Sequence, residues 1–128
     1  MIDQNVYWWT LEYPVILNLK QFNMHKRLAF KMKLKAGRIN EYKKRHDELW
    51  PELHELLKDA GLSEYSIFFD EETHTLFAFQ KQAGEQGSQD LGKTEIVQRW
   101  WKYMADIMET NPDNSPISTP LEEVFFME

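Results

Sequence analysis

SEYSIFFDEETHTLFAFQ, residues 63–80, is the stretch whose reading decides the fold. Tyr65, Ile67 and Phe69 fall on alternate positions, which is the two-residue period of a half-buried strand. Asp70 to His74 is polar and reads as a turn. TLFAFQ, 75–80, resumes a strand, so 63–80 reads as a β-hairpin. What lies on either side of this hairpin sets the architecture.

Upstream, RLAFKMKL at 27–34 alternates in the same way. Leu28, Phe30, Met32 and Leu34 lie on one side, and Arg27, Lys31 and Lys33 on the other. Gly37 ends that strand. Between it and the hairpin, Ile39, Tyr42, Leu49, Trp50, Leu53, Leu56, Leu57 and Ala60 recur at three- and four-residue steps, the pattern of an amphipathic helix. Gly61 stands where a C-terminal cap belongs. Pro51 has no backbone N–H and biases Trp50 away from helical angles, so a kink or a restart is expected there.

Downstream, residues 83–93 are polar and hold Gly84, Gly87 and Gly92, which reads as a loop or weak helix. Residues 94–109 form a second amphipathic helix, NPDNSP (111–116) is turn chemistry, and EVFFM (123–127) reads as a last strand. The order from Arg27 is β-α-β-β-α-β, an α+β fold of the ferredoxin-like kind. Two helices cover one face of such a sheet. Its phenylalanines, at 30, 68 or 69, 77 or 79, and 125 or 126, supply both faces. A sheet apolar on both faces predicts a second sheet against it, hence a homodimer.

The 128 residues fit one domain, 24–128, preceded by a segment 1–23 without a clear period. That segment reads as a loosely ordered N-terminal extension; the competing reading is an extra strand at 13–19. Cysteine is absent, which excludes disulfides and thiolate metal sites and agrees with a cytoplasmic location. The net charge of −6 gives no reason to expect a nucleic acid or an anionic membrane as partner. No apolar run approaches the ~20 residues of a membrane span, and no secretory signal is visible.

QRWWKYM, 98–104, carries adjacent tryptophans on the second helix. At about 100° per residue, Ile96, Trp100, Tyr103 and Ile107 cluster, and Val97, Trp101, Met104 and Met108 fill the adjoining sector. The resulting apolar arc is roughly 160° wide, broader than the ~100° stripe of a surface helix. It places Trp100 inside and Trp101 at an edge, where it can serve as core or wall a pocket. His46 is a sharper anomaly. It sits mid-stripe on the first helix, one turn after Tyr42 and one turn before Trp50. An unpaired buried polar group costs about 1–3 kcal/mol, so this imidazole needs a partner. Tyr42 and His46 project from one face toward the strand that carries Tyr65. Phenols, indoles and an imidazole converging in a cleft suit a sugar, whose C–H face packs on rings while polar tips hold its hydroxyls. His46 and His54 are eight apart without a carboxylate between them in metal-binding spacing, so no metal site is read there. His25 and His74 lie near turns and read as solvated.

KRHDELWPEL (44–53) nearly reproduces a family pattern RRHxxxWPEL. It is followed by EYSIFFD (64–70), LFAF (76–79), QRWWKYM (98–104), NPDNSP (111–116) and EVFFM. Together these resemble L-rhamnose mutarotases over about residues 25–128. The resemblance implies a dimeric α/β barrel that interconverts the α and β anomers of L-rhamnose without metal or other cofactor. It implies His46 as proton donor to the ring oxygen and Tyr42, Tyr65, Trp100 and Trp101 as sugar-binding residues. The base stays open among Tyr42, Tyr65, Asp47 and a water. Two other classes remain: a different ferredoxin-like dimer, such as a cofactor-independent oxygenase, and a non-catalytic sugar-binding module.

Overall fold

The structure is a computed structural model that describes residues 25–128. The expected extension 1–23 and its alternative strand 13–19 lie outside the described residues. Strand β1 (Lys26–Lys33) is followed by helix α1 (Ile39–Asp47), helix α2 (Pro51–Asp59), strands β2 (Leu62–Asp70) and β3 (Thr75–Gln82), helix α3 (Glu95–Met104) and strand β4 (Ser118–Leu121). The four strands form one antiparallel sheet in the order β2-β3-β1-β4, which is the expected ferredoxin-like arrangement.

Pro51 turns the expected kink into a restart. Trp50 is extended at φ −60°, ψ 129°, and Pro51 opens α2, where its missing N–H would have no helical partner anyway. Gly61 follows α2 at φ +90°, a left-handed conformation that lets the chain turn directly into β2.

The last strand lies elsewhere than the sequence pattern suggests. EVFFM is not a strand: Val124, Phe125 and Met127 are all strongly exposed. STPL at 118–121 pairs with β1 instead, Pro120 opposite Phe30 and Leu121 opposite Ala29. A proline is tolerated here because β4 is an edge strand, with no further ladder to supply. The proline hid the true strand, and a short apolar run near the C-terminus imitated one.

Strand β2 is irregular in a way that matters later. Ser63 pairs with Lys81 and Ser66 with Phe79, so Glu64 and Tyr65 together face Gln80. This is a β-bulge, with Glu64 in left-handed conformation at φ +46°. Side chains alternate along a regular strand, so Leu62 and Tyr65 would otherwise point to opposite faces. The extra residue resets the alternation and turns Tyr65, Ile67 and Phe69 toward the same side as Leu62.

That side is the core. Phe30, Met32 and Leu34 from β1 and its end meet Leu76 and Ala78 from β3, with Tyr42, Leu53, Val97, Trp101 and Met104 coming down from the helices. Ile107 and Met108 lie beyond the end of α3 and are buried as well. A bridge from Leu34 to Met108 and a hydrogen bond from the Lys35 N–H to the Ile107 carbonyl pin that segment. The opposite face of the sheet is open: Phe68 is 63% and Phe79 43% exposed, their rings 5.9 Å apart.

Candidate active site

Between the helices and the sheet lies a cavity of about 690 Å³. His46, Tyr42, Tyr65, Trp100 and Trp101 all line it, so the structure brings together the expected proton donor and the four expected sugar-binding residues. Each arrives from a different constraint. Helix spacing stacks Tyr42 and His46, whose ring centroids are 4.2 Å apart and tilted by 27°. The bulge delivers Tyr65. Helix α3 delivers both indoles.

The wheel of α3 needs one correction. Trp100 and Trp101 are each 9% exposed, while Tyr103, assigned to the apolar arc, is 42% exposed. The buried sector of the helix holds Val97, Trp100, Trp101 and Met104, so both indoles belong to it and Tyr103 does not. Trp101 is also closely seated. A Cβ at Gly92 would lie 2.5 Å from the indole Cη2, so this glycine belongs to the cradle of the ring. Trp100 is wedged between rings: His46 meets it edge-on at 5.4 Å and Trp50 edge-on at 5.1 Å.

His46 finds its partner on its own helix. Its Nδ1 lies 3.1 Å from the carbonyl oxygen of Tyr42. A carbonyl only accepts, so Nδ1 carries the proton and Nε2 is the nitrogen left for the cavity. Burial lowers the pKa of His46 below its ordinary 6.5, against the smaller opposing pulls of the Tyr42 carbonyl and Asp47. The imidazole is therefore neutral at pH 7, with a basic nitrogen available. Burial pushes the Tyr42 phenol well above the ordinary tyrosine range, and nearby Tyr65 adds to the shift. Tyr65 is raised by burial too, partly offset by hydrogen bonds from Ser88 and Gln80. Both phenols keep their protons.

Of the expected base candidates, Asp47 is not brought to the cavity. It is exposed and paired with Lys43 Nζ at 2.8 Å. His74, expected to be solvated, is half-buried with its ring 6.4 Å from Phe69. Among the described residues no three His, Cys, Asp or Glu side chains are placed to hold a metal ion. The sequence reading missed Gln80 and Ser88. Gln80 is 3% exposed and shares the inward alternation of Leu76 and Ala78. A polar residue at a core position was the available signal.

The lowered pKa fixes a pH dependence of stability. As pH falls, the unfolded chain takes up this proton before the folded one does. The stability held by neutral His46 is therefore complete above about pH 6.5 and is lost as pH falls through the lower folded value. Urea midpoints of the wild type should fall more steeply between about pH 7 and 5 than those of His46→Gln. Parallel slopes would contradict a neutral, buried imidazole.

A family model described as L-rhamnose mutarotase matches residues 27–127. An L-rhamnose mutarotase from Formosa agariphila is 71% identical over 102 residues, covering 80% of this chain and 98% of the relative. One from Bacteroides thetaiotaomicron is 67% identical over 103 residues, covering 80% of this chain and 99% of the relative. A crystal structure of an L-rhamnose mutarotase from Formosa agariphila superposes with a TM-score of 0.75 at 67% identity, covering 80% of this chain and 99% of that one. The chain belongs to the L-rhamnose mutarotase family.

Proposed function

We propose that this protein interconverts the α and β anomers of L-rhamnose by acid–base ring opening and reclosure, with His46 carrying the proton. The observation that carries this reading is a neutral imidazole with Nε2 free of its helix, set in a cavity walled by two indoles and two phenols. Family membership supplies the substrate.

Ring opening moves one proton from O1 to the ring oxygen O5 and breaks the C1–O5 bond. Both oxygens are bonded to C1, so one nitrogen reaches both in turn. Neutral His46 takes the O1 proton at Nε2. The C1–O5 bond then breaks as its electron pair goes to O5, which receives the same proton from the imidazolium, and C1 becomes an aldehyde. Rotation about C1–C2 presents the other carbonyl face, and the same steps in reverse close the ring. His46 is thus both the base and the expected donor to the ring oxygen. A neutral imidazole that takes up one proton and returns it suits both halves. Trp100 and Trp101 cover the C–H face and the methyl group, while Tyr42 and Tyr65 hold hydroxyls.

Exchange between anomer signals of L-rhamnose, followed by saturation-transfer NMR at catalytic protein concentration, tests the reading. His46→Ala should lower the enzymatic rate by about 10²–10⁴-fold with the fold retained, the contribution of a placed acid–base group. A fully active His46→Ala protein would overturn its role.

The protein is further proposed to act as a homodimer, through the open sheet face where Phe68 and Phe79 lie. A second copy is the occupant whose own apolar sheet matches this face. Sedimentation should give twice the chain mass, and Phe68→Glu should shift it toward the monomer; a monomeric wild type would rule this out. The absence of cysteine agrees with a cytoplasmic setting, and among the described residues no helix is long and apolar enough to cross a membrane.

A further inference from the structure

We infer that Gln80 and Ser88 form a directional hydrogen-bond relay that makes Tyr65 a proton donor toward the sugar, so that Gln80 is a positioning residue for the reaction. The inference rests on the mutarotase reading. Its geometry is independent of that reading.

The relay starts from a group whose direction cannot vary. The backbone N–H of Ser88 donates to Gln80 Oε1 at 2.9 Å. A backbone N–H has no alternative role, so it fixes which end of the Gln80 amide is oxygen. The other end, Nε2, then donates to Ser88 Oγ at 3.0 Å. One lone pair of Ser88 Oγ is thereby used. Tyr65 Oη, 3.3 Å away, is the other hydrogen-bond partner of Ser88 Oγ and the acceptor open to its hydroxyl proton. A phenol that accepts from Ser88 turns its own O–H into the cavity. Each bond polarises the next in the same sense, which strengthens the last donor.

The fold supplies two supports. Gln80 is the residue opposite the bulge that swings Tyr65 inward, so relay and target sit at the same point of the sheet. Ser88 belongs to a polar segment otherwise held by its own turn, in which the Gly87 N–H donates to Asp90 Oδ2 at 2.8 Å. Gln80 and Ser88 are both buried, at 3% and 7% exposed, where a polar network is costly unless satisfied. Gln80 itself does not line the cavity. It reaches the cavity through Tyr65, by way of Ser88 and by its own amide beside the phenol.

Gln80→Glu tests the direction of the relay. The introduced carboxylate still accepts from the Ser88 N–H, so the loop stays anchored. It cannot donate to Ser88 Oγ, and it draws the Ser88 proton toward itself. Tyr65 must then donate to Ser88 and loses its donor role toward the sugar. The enzymatic anomer exchange of L-rhamnose should fall about tenfold relative to wild type at pH 8, the value of one well-placed hydrogen bond. Once the introduced carboxyl is protonated it can donate again, and burial raises its pKa into an accessible range. The ratio of variant to wild-type rate should therefore climb toward one as pH falls from 8 to 5. A ratio independent of pH, or equal to one throughout, would overturn the inference. A wild type that leaves exchange at its spontaneous rate would overturn the functional reading and the inference together. If Gln80→Glu does not fold, a cycle decides. Ser88→Ala and Tyr65→Phe should each cost about tenfold, and the double variant no more than either, because both remove one donor. Independent, multiplying losses would contradict the relay.

Discussion

The bond from His46 Nδ1 to the Tyr42 carbonyl, one turn back on α1, organises the site. It satisfies a histidine that the helix places among apolar side chains, and does so with a group always present in a helix. It also fixes the tautomer and lays the imidazole against the Tyr42 ring. With Nδ1 held, Nε2 is left for the cavity, and burial keeps it unprotonated at neutral pH. The other walls serve this one nitrogen. Trp100 closes on it edge-on, Trp50 backs Trp100, and the β2 bulge brings Tyr65 to the same cavity.

Mutarotation asks little of a catalyst, because free sugars open and close unaided. That modest demand explains a site without a dense cluster of charges. Ionised groups occur at the rim, where Glu64 is paired with Lys81 at 2.7 Å. Inside, the proposed mechanism needs only an imidazole to move a proton between two oxygens of one carbon, beside phenols that stay protonated by virtue of burial. In that mechanism the aromatic walls hold the ring while C1 turns. Gly92 shows how closely this wall is built, since even a methyl group there would press on the Trp101 indole.

Much of this was legible in the sequence, for identifiable reasons. The hairpin and first strand alternate cleanly, so their period declares them. His46 declares itself by breaking an apolar stripe, and Trp100 and Trp101 by widening one. The misses have equally physical causes. Pro120 disguised an edge strand that needs no donor on its outer side, whereas Val124 to Met127 form an apolar run that does not pair. The wheel of α3 placed Tyr103 in the buried arc because it has no knowledge of where the sheet lies. The bulge at Glu64 and Tyr65 left no mark in the pattern, since Tyr65, Ile67 and Phe69 alternate correctly after it; only pairing with β3 reveals the extra residue. Gln80 and Ser88 meet across a loop, a contact no local period encodes.

The protonation state of His46 carries the account, and long-range ¹H–¹⁵N NMR of the imidazole reads it directly. At pH 7 the account predicts a neutral ring with its proton on Nδ1, and a resonance of Nε2 that moves when L-rhamnose is added. A ring already doubly protonated at pH 7, or neutral with its proton on Nε2, would contradict it.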